Sequence, residues 1–414
     1  MVQVTGVSES GDPSAIIRGD LSVDSLSSAL EGRRLDLIVS GSVGAVESVR
    51  LIRSLRRLGA KVTPWLTAGG SQFTTETALA WAAGEPVRTS FSGHISHLAE
   101  NDACVIAPAS ANFLSKIAYA FSDSPALALV ASYRGSAKPI FVVPNMHDSL
   151  WRNPSFQDNV TRLRSELYFF PARIEEGKQK FPIPNVFADW IGHQLNLRKF
   201  SSPPKVLLTM GSTRGYIDDV RFFGNDSSGK LGTAICSELF RQGCLVDLII
   251  GPCPVEPDQY HRQWSIRSTK EMETAVQESL AGGAEHGIFC AAVLDYEPVS
   301  YQSGKIPSTA NHVTVDLKPT KKIIRLASSL PGYKVGFKLQ PKGSDPAPVV
   351  ARYLEKYGLD LLVHNYLGST GQDHEADCYR WSGQQKGLEL LASITGKQTL
   401  AQFICRCILE HAQR

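Results

Sequence analysis

Two stretches of this 414-residue chain combine residue types suited to phosphate chemistry. Thr209 to Gly232, TMGSTRGYIDDVRFFGNDSSGKLG, leaves an apolar run, crosses a loop dense in Gly, Ser and Asp, and enters a helical pattern at SSGKLG. Such a loop offers backbone N–H groups and a helix N-terminus to an anion. It matches neither the P-loop nor the GxGxxG fingerprint, so residue types alone leave an anion site and an ordinary surface loop both open. In the second stretch, Val39 to Ala45 (VSGSVGA), Gly41 and Ser42 stand between an apolar run and a helical pattern, where a phosphate can be cradled. The eight cysteines, Cys104, Cys236, Cys244, Cys253, Cys290, Cys378, Cys405 and Cys407, form no CxxC pair and have no histidine at zinc-ligand spacing. Reduced, structural thiols are expected.

The elements that must carry these residues follow from periodicity. Arg34 to Ser40 (RLDLIVS) reads as a strand, and Val46 to Leu58 has apolar residues at helical spacing with arginines opposite. Lys61 to Leu66, Ala103 to Ala107 (ACVIA) and Lys138 to Val143 (KPIFVV) are further strands with helical stretches between them. After the proline-interrupted Ser201 to Pro204 (SSPP), a second series opens with Lys205 to Thr209 (KVLLT). It continues through Leu245 to Ile250, Gly287 to Ala292, Lys334 to Phe337 and Leu359 to Val363. Strands alternating with helices imply parallel sheets covered on both faces, so the fold class is α/β, with two tandem parallel-sheet Rossmann-like domains. The reading places an N-terminal extension at 1–33, a first domain at 34–198, a linker at 199–204 and a second domain at 205–414.

Composition narrows the function class. A net charge of +3, with basic residues scattered among acidic ones, gives no electrostatic footprint for nucleic acid. Met1 to Asp20 has neither a basic region followed by an apolar run nor a small-residue cleavage site, and no segment approaches the ~18 apolar residues of a membrane span. A cytoplasmic enzyme without membrane or nucleic-acid partners is expected.

The Thr209 to Gly232 stretch resembles the opening motif of phosphopantothenate-cysteine ligases, TxGxTxxxID-VR followed by N-SSGK-G. Cys290 to Tyr296 (CAAVLDY), Gly304 to Ile306 (GKI), Leu317 to Ile323 (LKPTKKI), Gly336 to Leu339 (GFKL) and Asn365 resemble later motifs of that family in the same order. The resemblance implies that the carboxylate of 4′-phosphopantothenate attacks the α-phosphate of CTP or ATP, after which the amine of cysteine displaces the nucleotide. It implies Lys305 on a flexible glycine-flanked segment as the cation that closes over the triphosphate, and Asn225 as the amide that holds the acyl-nucleotide. Gly211, Ser228 and Lys230 would meet phosphates, Asp295 the sugar or base, and Phe337 the base, with Mg²⁺ bridging the phosphates. Ser212 and Gly215 stand where the family commonly has proline and glutamate, and His364 where it has a small residue. CTP and ATP both stay open.

Val39 to Ala45, Thr67 to Thr75 (TAGGSQFTT, with Thr67 and Phe73), Gly93 to Leu98 (GHISHL), Pro108 to Asn112 (PASAN) and Pro144 to Trp151 (PNMHDSLW) resemble the flavin-containing cysteine decarboxylases. That family includes phosphopantothenoylcysteine decarboxylase, commonly fused ahead of the ligase. The resemblance implies a flavodoxin-like domain with FMN held by Gly41, Ser42, Thr67, Phe73, Pro108, Ala109, Ser110 and Asn112. It implies His94 as the catalytic histidine and leaves His97 a bystander. Substrate contacts fall at Asn145, Met146 and His147. Where the family has PxMN, this chain has Pro144, Asn145, Met146 and His147, an imidazole in place of the amide that binds the departing carboxylate. Between Tyr168 and Asn185, where coenzyme A decarboxylases carry a clamp with a reactive cysteine, there is none. An active site without that thiol should stop at the ene-thiol. The EEGKQK run there reads either as a solvated loop or as lysines holding an anion.

Three readings follow: a ligase with an FMN-dependent decarboxylase-like half; a divergent enzyme joining another carboxylate and amine; and a flavin half that is an inactive assembly or redox-sensing module. On each, a homo-oligomer is implied, with trimeric flavin domains and dimeric ligase domains.

Overall fold

The computed structural model describes residues 21–91, 97–307, 312–367, 374–382 and 387–413. The chain divides into two compact units, Met1–Gly192 and His193–Arg414.

The first unit is built on strands β1 (Arg34–Val39), β2 (Lys61–Leu66), β3 (Ala103–Ala109), β4 (Ile140–Pro144) and β5 (Tyr168–Phe169). They form one parallel sheet in the order β2-β1-β3-β4-β5. Five of the six β1 residues are buried, as a strand covered on both faces requires. Helix Ser48–Arg57 follows the first turn because Leu51, Ile52 and Leu55 share one face, which is fully buried. Each such aliphatic side chain contributes roughly 1.5–3 kcal/mol. From β1 the chain runs first to β2 on one side and later to β3 on the other. Diverging connections open a crevice at the carboxyl ends of β1 and β3, the place where open α/β sheets bind ligands. Asp36 is a buried residue of β1 itself, and Trp65 Nε1 and the Tyr133 hydroxyl donate to its carboxylate at 2.8 and 2.6 Å. A hairpin of β6 (Arg173–Glu175) and β7 (Lys178–Lys180) occupies the stretch that carried the acidic-basic run.

The second unit is built on β8 (Lys205–Met210), the hairpin β9 (Arg214–Tyr216) and β10 (Phe222–Gly224), then β11 (Leu245–Ile250), β12 (Arg262–Ser265) and β13 (His286–Phe289). The pair β14 (Tyr296–Pro298) and β15 (Leu317–Pro319) follows, then β16 (Lys334–Gln340), β17 (Leu361–Tyr366), β18 (Glu375–Trp381) and β19 (Leu388–Thr395). The main sheet has the order β12-β11-β8-β13-β16-β17-β18-β19. It is parallel through β17, as the alternating pattern implies, but β18 and β19 extend it antiparallel. Alternate residues of β8 enter different cores: Val206, Leu208 and Met210 pack with helices Lys230–Arg241 and Lys397–Ala412, while Leu207 packs on the opposite face with Ile249 and Met272. The switch point lies between β8 and β13, again at carboxyl ends.

No described helix is long and apolar enough to cross a membrane.

Candidate functional sites

In the first unit a cavity of about 560 Å³ opens at the β1/β3 crevice, lined by Gly41, Ser42, Thr67, Ser110, Asn112, Asn145 and Met146 among others. Its polar side chains are largely committed to the backbone around it. The Ser40 hydroxyl donates to Pro108 O at 2.9 Å and accepts from Ser110 N at 2.8 Å, closing the end of β1 onto the end of β3. Thr67 Oγ1 donates to Val39 O and accepts from Gly70 N, both at 3.1 Å. Ser110 caps helix Ala111–Ala118 by accepting from Phe113 N. Gly41 lies so close to Gly69 that a Cβ there would stand 3.0 Å from the Gly69 backbone, so the floor of the cavity is bare main chain. Volume, bare glycine floor, helix N-terminus and the apolar wall of Phe113, Leu127, Met146 and Leu150 together fit a phosphorylated planar cofactor such as FMN.

The other residues expected here fall elsewhere. Pro108 and Ala109 lie at the end of β3, where Ala109 is fully buried and Pro108 acts through its carbonyl. Phe73 is exposed and does not line the cavity. His94 lies outside the described residues. His97 is described and packs edge-on against Phe91. His147 is exposed and caps a short helical turn, its Nδ1 accepting from Ser149 N at 3.2 Å. Asn145, by contrast, is 5% exposed, and its Oδ1 accepts from the Ser42 hydroxyl at 2.6 Å and Gly44 N at 3.1 Å. It therefore ties the end of β4 to the turn after β1 and leaves its Nδ2 as the donor still available.

Asn145 also borders a second cavity, of about 350 Å³, with Arg50, Arg173 and Lys180. The Arg50 and Arg173 guanidiniums pair with Glu47 and Glu175 at 3.4 and 3.1 Å.

In the second unit Asn225, Asp295 and Phe337, distant in sequence, line one cavity of about 480 Å³. Thr209 and Phe289 place it by the β8/β13 switch point, and Lys338, Tyr353 and Tyr357 complete its far wall. Asn225 Nδ2 donates to the carbonyls of Ala292 and Val293 at 3.3 and 3.2 Å, which commits the NH₂ and leaves the oxygen as the acceptor of the amide. The loop is braced from the other side by Thr320, whose N–H donates to Asp295 O at 3.0 Å. The charged lining residues Lys322, ion-paired with Asp295, Asp226 and Lys338 were not singled out from sequence. Cys290, next to this wall, has its thiol pushed up to about 12 by burial and supplies no thiolate.

Gly211, Ser228, Lys230 and Lys305 do not line that cavity. Gly211 follows β8, and Ser228 and Lys230 are exposed at the start of helix Lys230–Arg241. Lys305 has an exposed side chain, and the residues on either side of it are hydrogen-bonded to the loop after β8. The fully buried carboxylate of Asp218 accepts from Ile306 N at 3.0 Å, from Val220 N at 2.8 Å and from Arg221 N at 2.5 Å. Burial alone would raise the Asp218 pKa. The bonds from Ile306, Arg221 and Val220, with the Arg221 guanidinium, prevail and hold the carboxyl well below its ordinary range.

Asn365 lies on β17 away from the cavity, and its buried Oδ1 has no partner among the described residues. His364 is fully buried beside it, its Nε2 2.9 Å from Gln340 Oε1, and burial lowers its pKa. A further cavity of about 580 Å³ over β18 and β19 contains none of the expected residues. Among the described residues no group of three or more His, Cys, Asp or Glu side chains could hold a metal ion by itself.

Two family models match this chain: the DNA/pantothenate metabolism flavoprotein C-terminal domain over residues 202–411, and the flavoprotein family over residues 23–191. The coenzyme A biosynthesis bifunctional protein CoaBC of Thermococcus kodakarensis is 32% identical over 357 residues, covering 83% of this chain and 88% of that protein. Its counterpart in Methanocaldococcus jannaschii is 29% identical over 373 residues, 87% of this chain and 89% of that one. The solved structure of the DNA/pantothenate metabolism flavoprotein from Streptococcus pneumoniae is 26% identical with a TM-score of 0.44, covering 50% of this chain and 99% of that chain.

Proposed function

This chain belongs to the family of coenzyme A biosynthesis bifunctional proteins, with a flavoprotein half and a ligase half, and we propose that it joins 4′-phosphopantothenate to cysteine and then oxidatively decarboxylates the product. The observation that carries the ligase reading is the convergence of Asn225, Asp295 and Phe337 on one cavity at the carboxyl edge of the sheet.

In this reading Phe337 packs the base of CTP or ATP, and Asp295, steered by Lys322, accepts hydrogen bonds from the sugar or base. The phosphopantothenate carboxylate attacks the α-phosphate and pyrophosphate leaves. Lys305, with Lys230 and the backbone amides near Gly211 and Ser228, neutralises the charge that develops on the phosphates, and Mg²⁺ enters with the nucleotide. The anchored Asn225 amide then holds the acyl-phosphate while the cysteine amine attacks its carbonyl carbon and the nucleoside monophosphate departs. Pyrophosphate release that requires both phosphopantothenate and CTP or ATP tests this, and release without phosphopantothenate, or none with either nucleotide, contradicts it.

Gly41, Ser42, Thr67 and the segment Pro108–Asn112 would hold FMN, which supplies a two-electron acceptor when bound. His94 accepts the thiol proton of the substrate, as an imidazole near neutrality can. Asn145, which lines this cavity, would meet the substrate carboxylate through its Nδ2, in the part expected of the residue two positions on. The absence of any cysteine between Cys104 and Cys236 supports a reaction that ends at the ene-thiol. Mass spectrometry after incubation with 4′-phosphopantothenoylcysteine should find loss of CO₂ plus two hydrogens; loss of CO₂ alone contradicts this ending. The reading keeps domains at 34–198 and 205–414, a cytoplasmic setting and a homo-oligomer.

A further inference from the structure

We propose that Asp218 is a positioning residue for Lys305, an assignment that rests on the ligase reading above. Lys305 follows Gly304 and precedes Ile306, and the polar backbone groups of both neighbours are bound by residues more than eighty positions earlier. Asp218 takes the Ile306 N–H at 3.0 Å, and Arg221, itself paired with Asp218, donates from Nη1 to Ile306 O at 3.1 Å. Asp219 takes the Gly304 N–H at 2.8 Å and donates its own N–H to Gly304 O at 3.2 Å. The Tyr301 hydroxyl also donates to Asp219, and Gln302 N donates to Ile217 O at 3.0 Å. Gly304 has φ of +82°, a conformation that side chains strain against, so the direction in which the chain leaves toward Lys305 is set as well.

A carboxylate is required at the hub. Asp218 is fully buried, and a buried charge is tolerated only when its lone pairs are filled. One oxygen accepts from Val220 N and Arg221 N, the other from Ile306 N and Arg221 Nη1. An asparagine keeps one acceptor and turns an NH₂ toward a donor on the other side. The aspartates of the IDD run therefore work at a distance from the nucleotide cavity, and they spare the ordering of the Lys305 peptide at each turnover.

The test uses the full chain and two readouts. Asp218→Asn should lower kcat for pyrophosphate release by about 30-fold while leaving the nucleotide KM within about twofold. Amide exchange in peptides covering Tyr301–Pro307 should quicken by about tenfold. In a Lys305→Ala background the same substitution should cost less than about twofold, since a residue acting through Lys305 has nothing left to position. Full additivity with Lys305→Ala, or unchanged exchange, overturns the proposal. If Asp218→Asn does not fold, Asp219→Asn releases only the Gly304 side and should show a smaller loss, about threefold to tenfold, with the same non-additivity. A parent enzyme that releases no pyrophosphate overturns the ligase reading and the positioning role with it. A parent that turns over while the two losses add overturns the positioning role alone.

Discussion

The turn after β1 and the long loop after β8 occupy equivalent places at the carboxyl edges of their sheets, yet they spend their polar residues differently. In the first unit the hydroxyls of Ser40, Ser42 and Thr67 bond to nearby strand ends, and Asn145 locks the turn from β4. The cradle is closed locally and shows main chain to the cavity. In the second unit one continuous stretch does three separate jobs. Ser212 donates to Pro252 O at 2.9 Å, Asp218 and Asp219 bind the backbone on either side of Lys305, and Asn225 lines the cavity at the β8/β13 switch point. A compact cradle depends on shape, whereas a distributed loop depends on individual charges carried to different places.

The sharpest way to break this contrast is Lys305→Ala. It should lower kcat for pyrophosphate release by about 10²- to 10³-fold, the usual cost of one transition-state charge contact, and leave flavin content unchanged. A loss in KM alone would place Lys305 in ground-state binding. Next is Asn145→Ala, which takes the acceptor from the Gly44 N–H and leaves the buried Ser42 hydroxyl only the backbone carbonyl of residue 145. A cost of about 1–3 kcal/mol is expected, confined to the first unit and read as faster amide exchange in β1 and β4 peptides. Equal quickening in β8 peptides would contradict local closure. Phe337→Ala should raise the nucleotide KM by about tenfold with little change in kcat, as loss of an aromatic packing surface does.

The smallest effect expected is in pH. His286 has its pKa lowered to about 4 by burial and by His411, and burial also lowers His193 and His364. Each favours the neutral form when folded, so protonation favours unfolding. Second-unit stability should be full above about pH 6.5 and fall as the pH drops toward 4, by less than about 1 kcal/mol per histidine at pH 6. In the first unit burial raises the Asp36 pKa despite its bonds from Tyr133 and Trp65. A raised carboxyl contributes stability at low pH that is lost as pH rises through its folded pKa, so Asp36 does not weaken the first unit in mild acid. Peptide exchange at pH 7 and pH 5.5 should separate the units, and matching losses in both would contradict this assignment.

Much of this was legible in the sequence because parallel strands buried on both faces are short apolar runs, as β1, β3 and β8 are. The antiparallel edge was harder to read. The register of β18 with β19 shifts between Cys378 and Tyr379, where Leu391 of β19 is passed over, and both strands mix polar and apolar residues. The hairpin β9–β10 hid inside a polar loop because the contacts that join its strands are made across the turn, among them Tyr216 against Phe222 and Arg214 lying 4.1 Å over the Phe222 ring. Side-chain assignment failed where neighbours were chemically alike. In the run Lys321–Lys322, Lys321 pairs with Glu273 while Lys322 reaches Asp295 at the cavity, and spacing alone cannot separate them. Asn145 could be picked out as a substrate contact, but its tie to the turn after β1 is legible only in the fold, since its partners Ser42 and Gly44 lie more than a hundred residues earlier.

The central claim, two consecutive reactions on one chain, is tested most directly by a mass-spectrometric time course. The full-length protein is incubated with 4′-phosphopantothenate, cysteine, Mg²⁺, FMN and either CTP or ATP. The account predicts that phosphopantothenoylcysteine forms first and is then converted to a species lighter by CO₂ and two hydrogens. A cysteine adduct that forms with neither CTP nor ATP, or one that forms and is not converted, would contradict it.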